Sequence, residues 1–210
     1  MPRKISKLMA ETDTKFVGIK GPSGAGKSTA ARIIQGQFPN SIILSGSNYH
    51  YKSTLEDEKL SKEVFGRTFN SIEEVLNHYL ENEDADLLRK WNVSSRPYIS
   101  EMYLQDMDGL LNQNLIPNPI IGEWVLLNTL TDVWGLATNR FSIDAPFEQI
   151  SANTYAREGD DKSELRYGAL EEWYDVGERP TRIMNDSSIS EFERKVKDYT
   201  QTIGEPNKIF

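Results

Sequence analysis

The sequence predicts a single α/β domain, a three-layer α/β/α sandwich around a parallel sheet. Three observations carry this. Short apolar runs suited to buried strands alternate with segments of helical periodicity, and the connections between them are short. The first strand candidate also runs into a glycine-rich loop that opens directly onto a helix. The 210 residues contain no Pro/Gly/Ser-rich linker separating compositionally different halves, so one domain covering residues 1–210 is expected.

Phe16–Lys20 is a short apolar run ending at Gly21 and Pro22, as a buried strand entering a tight loop would. From Ser28, Ala30, Ile33 and Ile34 share one helical face, and Gly36 with Pro39 marks the helix end. Residues 41–45 read as a second strand, completing a βαβ unit. The stretch from Glu56 to Asp86 is acidic and polar and reads as a lid-like region outside the core, with one helix opened by the capping box Ser71-x-x-Glu74. Residues 100–111 suit a helix, 119–127 a third strand and 140–144 a fourth. Pro146 then stands at a favourable first position for a helix over 147–157, followed by the charged stretch Glu158 to Arg166. A last strand at 181–184 precedes a helix capped by Ser188-x-x-Glu191.

Composition narrows the function. With 24 Lys+Arg against 32 Asp+Glu the formal net charge is −8, and no long basic stripe offsets it. General nucleic-acid binding, which needs a cationic face to displace counterions, is disfavoured. The absence of cysteine excludes disulfides, thiolate metal sites and cysteine nucleophiles. Glu11 and Asp13 fall where the apolar region of a signal peptide would run, and no stretch approaches the roughly 18 apolar residues of a membrane span. A cytoplasmic protein with no membrane partner is the expectation.

The strongest motif is Gly21-Pro-Ser-Gly-Ala-Gly-Lys27-Ser28, which fits G-x-x-x-x-G-K-[ST] at every fixed position and lies between a strand and a helix. Such a loop turns backbone N–H groups onto a phosphate, and the following helix adds its positive end. In this reading Lys27 reaches the β and γ phosphates and the Ser28 hydroxyl binds Mg²⁺. An ordinary glycine-rich turn has no need of this spacing or context. Gly21, Pro22, Ser23, Gly24, Ala25, Gly26, Lys27, Ser28 and Thr29 are thus expected to hold a nucleoside triphosphate, ATP or GTP.

Over residues 16–52, 105–111, 119–157 and 181–196 the chain resembles the uridine kinase group of P-loop kinases, with weaker similarity to nicotinamide riboside kinase and dephospho-coenzyme A kinase. Four segments carry the resemblance. Ile42 to Lys52 resembles the family's second strand and its S-x-D-x-F/Y-Y segment, and Asp106-Met-Asp-Gly-Leu-Leu111 its F-D-W-D-x-L-L helix start. Ile120-Ile-Gly-Glu123 resembles the strand whose terminal acid helps hold Mg²⁺. Asp132 to Asp144, continued to Arg157 and Glu158, resembles the L-x-D-L-K-I-F-V-D run into an arginine-bearing lid. The resemblance implies a five-stranded sheet in the order 2-3-1-4-5, a lid-like insert at about 53–100, and a short lid at about 157–168. It further implies transfer of a γ-phosphoryl group to a hydroxyl of a nucleoside-like small molecule. Ser47 or Asn48 stands where the family has an aspartate facing the acceptor hydroxyl, Trp124 replaces a glycine after the acidic strand end, and Arg157 and Arg166 are the lid arginines.

The residues beside these motifs divide between structural and functional duty. Glu123 puts a charge at the end of an apolar strand, where burial is costly without a partner, which favours metal or active-site duty. Asp144 ends a strand but precedes Pro146, so a helix-capping role serves equally well. Asp106 and Asp108 suit the dipole of a helix start, and only the resemblance gives Asp106 a catalytic role. Tyr49, His50 and Tyr51 follow the second strand and form either a pocket wall or core packing. Trp91, Arg96 and Tyr98 are placed over the acceptor by analogy alone, His78 reads as solvent-facing, and the acidic run Glu81 to Asp86 as a solvated loop.

The expected site therefore has Lys27, Glu123, Arg157 and Asp106 as catalytic groups, with Arg157 also on the nucleotide. Ser47, Tyr49, His50, Arg96 and Arg166 bind the acceptor, and Ser28 and Glu123 hold Mg²⁺. Two alternatives stay open: a kinase acting on a modified base or end of a polynucleotide, and a catalytically silent nucleotide-binding module.

Overall fold

The computed structural model describes residues 1–82, 84–113, 115–158, 162–174 and 180–203. Five strands form one parallel sheet, β1 (Phe16–Lys20), β2 (Ile42–Ser45), β3 (Ile120–Glu123), β4 (Asn139–Asp144) and β5 (Thr181–Met184). Their order is β2-β3-β1-β4-β5, as expected. In register, Glu123 lies beside Ile19 of β1 and Ser45 of β2. Because every neighbouring pair is parallel, all five C-terminal ends meet at one edge.

Alternation along the strands sends side chains to two cores. Val17, Ile19, Ile121, Phe141, Ile143 and Ile183 pack under α2 (Lys27–Gln37), α8 (Phe147–Glu158) and α10 (Ile189–Thr200). Phe16, Leu44 and Ile120 face the larger core beneath α1 (Pro2–Glu11), α3 (Gly46–Glu56) and α6 (Ala85–Leu111). On that face Gly18 lets the Trp134 indole lie against β1, since a Cβ there would stand 2.8 Å from the ring. Tyr103 of α6 donates to the carbonyl of Leu44 or Glu123, at 3.2 and 3.0 Å, tying α6 to the ends of β2 and β3.

The largest correction concerns residues 56–86, read from sequence as polar and apart from the core. Here α4 (Glu58–Phe65) and α5 (Ile72–Asn82) contribute Leu60, Val64, Val75 and Tyr79 to the large core. The acidic side chains lie on the outer faces of amphipathic helices, and average polarity conceals that periodicity. The Ser71 cap is present, accepting from Glu74 N at 3.1 Å. Of the acidic run 81–86, Glu83 lies outside the described residues, while Asp84 caps α6 by accepting from Leu87 N at 2.6 Å.

The helix expected at 100–111 begins fifteen residues earlier, at Ala85, and contains Pro97. Proline removes one helical hydrogen bond and crowds the carbonyl four residues back. Pro97 and Val93 are both exposed, where water can satisfy that carbonyl. The third strand, expected over 119–127, stops at Glu123. Trp124 N makes a last ladder bond to Ile19 O at 3.1 Å, after which the chain turns and buries Trp124, Leu126 and Leu127 in the large core. Four further helices lie outside the segments of clear helical periodicity: α1, α3, α7 (Thr131–Trp134) and α9 (Ser163–Tyr174). α1 buries Ile5 and Met9, and its Lys4 pairs with Asp108 at 2.7 Å, giving that carboxylate a structural partner. No helix among the described residues is long and apolar enough to cross a membrane.

The two kinds of glycine are separable by experiment. Gly36 lies in α2 with nothing within 4 Å of an added Cβ, so Gly36→Ala should stabilise by about 0.5–1 kcal/mol. Gly18→Ala must displace a buried indole and should destabilise by about 1–3 kcal/mol, with urea denaturation at unchanged m-value checking both.

Candidate functional site

The glycine-rich loop crosses the C-terminal edge of the sheet between β1 and α2. Gly21 has φ 140°, and a Cβ there would lie 2.0 Å from the Ile143 carbonyl oxygen, so only glycine fits between β1 and β4. Three side chains hold the loop by its carbonyls. Asn153 of α8 donates to Gly24 O at 2.8 Å, Asn185 after β5 to Ala25 O at 3.0 Å, and Lys27 Nζ to Pro22 O at 2.8 Å. A loop held this way at the start of an eleven-residue helix can present backbone N–H groups and the positive helix end to an anion.

Lys27 is buried, and desolvation lowers its pKa from 10.5 to about 8, against the opposing pull of Glu123 and with a further push down from Arg157. Glu123 is buried beside it. Its carboxylate accepts from Ser45 Oγ at 2.7 Å and from Ser28 Oγ at 3.4 Å. A hydroxyl and a carboxylate converge here on one small volume, a hard-oxygen set. Among the described residues no group of three or more His, Asp or Glu side chains could cage a metal. The pair therefore suits a Mg²⁺ ion that keeps several waters and takes phosphate oxygens, and does not suit an all-protein cage.

Two clefts meet over Lys27. One, of about 530 Å³, runs along the loop and α2 and is lined by Gly26, Ser28, Thr29, Arg32, Asn153 and Asn185, among others. The second, of about 410 Å³, lies on the α3 and α6 side. Ser23, Ser47, His50, Trp91, Trp124 and Arg166 contribute to its wall. Lys27 and Arg157 border both. Arg157 Nη2 donates to Ser23 Oγ at 3.1 Å, which anchors the end of α8 to the loop.

His50 is enclosed by aromatic rings, stacked on Trp91 at 4.0 Å and edge-on to Trp124 at 5.7 Å. Burial holds its pKa down at about 3, so the ring is neutral at physiological pH. Arg166 is buried with its guanidinium 5.7 Å from the Tyr79 ring centroid. The expected residues thus separate. Lys27, Ser28, Glu123 and Arg157 come together at the loop, and Ser47, His50 and Arg166 line the second cleft.

Other assignments do not hold spatially. Asp106 lines neither cleft and accepts from Tyr49 OH at 2.5 Å, joining α6 to α3. Burial and that bond raise the Tyr49 pKa strongly. Arg96 lies over the Trp173 ring at 4.3 Å, between α6 and α9, and Tyr98 donates to Glu56 at 2.6 Å. His78 is half-buried against Phe65 and Phe69, not solvent-facing. Asp144 does not cap α8; it pairs with Arg182 on β5. Of the short lid expected over 157–168, residues 159–161 lie outside the described residues. Asn153, Asn185, Trp124 and Tyr174 were missed. Asn185 carried a usable signal, being the first polar residue beyond a parallel strand's C-terminal end.

No protein-family model matches the chain, and no curated protein matches it. Solved structures do. TT1252 from Thermus thermophilus superposes with a TM-score of 0.59 at 20% identity, covering 90% of this chain and 97% of that one. A gluconokinase from Sinorhizobium meliloti 1021 gives a TM-score of 0.51 at 16% identity, covering 89% and 91%. Fold and loop together make this chain a P-loop α/β/α protein. The fold is shared with a gluconokinase across nearly the whole length of both chains.

Lys27 makes the loop pH-sensitive. Between about 8 and 10.5 the unfolded chain holds the proton that the folded chain has lost, so stability should rise with pH in that window. A bound phosphate favours the ammonium form. Triphosphate affinity should therefore fall as pH rises through about 8, with proton uptake on binding at alkaline pH. Calorimetry in two buffers of different ionisation enthalpy measures this, and Lys27→Met should remove the uptake.

Proposed function

We propose that the protein is a phosphotransferase that moves the γ-phosphoryl group of ATP or GTP to a hydroxyl of a small molecule, with a nucleoside-like acceptor. The observation that carries this reading is the meeting of two clefts over one lysine and one arginine. The cleft along α2 takes the donor nucleotide, with its phosphates in the Gly21–Thr29 loop. The α3–α6 cleft takes the acceptor. Lys27 and Arg157 then face the group in transit from both sides.

Phosphoryl transfer passes through a loose transition state, so the protein mainly aligns reactants and neutralises charge. Lys27 lies at the junction and is held to Pro22 O by one hydrogen bond that a phosphate oxygen can replace. Arg157 contributes a second cation from the end of α8. Ser28 and Glu123 are the residues that would hold Mg²⁺, which supplies charge neutralisation at the phosphates when bound. Ser45 fixes the Glu123 carboxylate through one of its oxygens. Glu123 lines neither cleft, so its part is to orient and not to take the acceptor's proton. Helices α5 and α9, which carry part of the acceptor wall, act with α4 outside them as the lids that exclude water.

A silent nucleotide-binding module is the second reading. It is favoured by one observation: no carboxylate of a described residue lines the acceptor cleft, and Ser47 stands where the resemblance places an aspartate. A polynucleotide acceptor fits poorly with a net charge of −8.

Three outcomes are expected. Lys27→Ala should abolish transfer and weaken triphosphate binding. Glu123→Gln should lower the transfer rate by about 10²-fold while leaving nucleotide affinity within a few-fold. A labelled-phosphate transfer screen against nucleosides and sugars, with calorimetry in parallel, reads both; transfer that appears only after Ser47→Asp would establish the silent module instead. Amide exchange of α4, α5 and α9 should slow when nucleotide and acceptor are both bound, and equal protection in both states would count against lids.

A further inference from the structure

The second cleft contains a feature that phosphate handling does not use. His50 Nε2 and Asn92 Oδ1 are both buried without a hydrogen-bond partner, and both residues line the cleft. The amide orientation of Asn92 is settled by its other end, which donates to Leu88 O at 2.8 Å and so leaves the oxygen as the unsatisfied atom. Native folds satisfy nearly all such groups, because each one left bare costs free energy out of proportion to a hydrogen bond's net value. Two in one cleft point to a partner that arrives from outside the chain.

The surroundings state the partner's shape. Trp91, Trp124, Tyr79 and Tyr174 line the same cleft, and His50 is already stacked on Trp91 at 4.0 Å. Neither orphaned atom is open to solvent, so a ligand meets them only by sliding in as the aromatic side chains of the cleft move apart. A flat conjugated ring can do this, and a puckered polyol cannot. Asn92 Oδ1 is an acceptor only, so the ring must bring an N–H or O–H donor on its rim. The neutral His50 ring offers one nitrogen as donor and the other as acceptor.

We propose that His50 and Asn92 are the specificity-determining pair of the acceptor cleft, selecting a planar ring that stacks on the aromatic wall and donates a rim hydrogen bond to Asn92. The inference rests on the assignment of this cleft to the acceptor. Asn92 was not singled out by the sequence, and its place in the site follows from the geometry alone.

Because Trp91 and Trp124 line the cleft, intrinsic tryptophan fluorescence reports binding without any turnover. Uridine, whose ring carries one N–H donor, its 3-methyl derivative, which lacks it, and D-gluconate, which has no planar ring, are the probes. The wild-type protein should bind uridine tighter than the methylated ring by about tenfold or more, and gluconate should leave the fluorescence unchanged. Asn92→Leu should reduce that preference to about twofold or less, and Asn92→Asp, which keeps an acceptor oxygen, should retain it. If Asn92→Leu does not fold, the wild-type preference decides. Equal affinity for the two rings, no response to uridine, or a response to gluconate alone overturns the proposal, and the orphaned atoms then hold buried water only. Uridine bound with the expected preference but never phosphorylated sustains the pair and ends the kinase reading. Gluconate phosphorylated without uridine binding does the reverse.

Discussion

A carboxylate buried at the C-terminal edge of the sheet is the constraint on which the rest of this architecture depends. Taking Glu123 out of water costs several kcal/mol. Hydrogen bonds to a charged group return about 1.5–3 kcal/mol each. Ser45 and Ser28 supply them, and the Lys27 ammonium adds an opposite charge nearby. For this to balance, the ends of β2 and β3 and the start of α2 must lie within a hydrogen bond of one another. The parallel register that sets Ser45 beside Glu123 meets the requirement, and the loop between β1 and α2 is then drawn over the same point.

The opposite wall is built by packing. Trp91 is almost fully buried. A buried indole removes roughly 150–250 Å² from water, worth roughly 4–6 kcal/mol at about 25 cal/mol per Å². Its Nε1 donates to Thr54 Oγ1 at 2.7 Å, so the indole joins α6 to α3 without an unsatisfied donor. Tyr103 and the Tyr49–Asp106 pair extend the same junction toward the sheet. The wall of the α3–α6 cleft is thus part of the main core along one side, which leaves the outer helices α4, α5 and α9 as the parts around that cleft free to move.

Long-range pairing explains which of the expected residues come together. Lys27, Ser28 and Glu123 sit at strand ends or at a helix start, and in a parallel sheet those positions must converge. Asp106 and Arg96 carry the same kinds of functional group on a helix, where direction is set by the helix's rotation against its neighbours. That rotation follows from Trp91, Ile99, Tyr103 and Met107 seeking the core. It turns Asp106 toward Tyr49 and Arg96 toward Trp173.

The sequence by itself determined the alternation of strands and helices, the phosphate loop with its lysine, and the buried acid at the end of β3. Each is a local signal: a run, a spacing, or a charge where apolar residues are the rule. Only the tertiary structure decided that the inner faces of α4, α5 and the first half of α6 belong to the core and that Asp106 is a packing partner. The same packing brings Asn92 and His50 into one cleft, from positions 42 residues apart in the chain. Amphipathic helices reveal their buried face only once a partner surface exists, and a site assembled across helices has no spacing for a sequence to display.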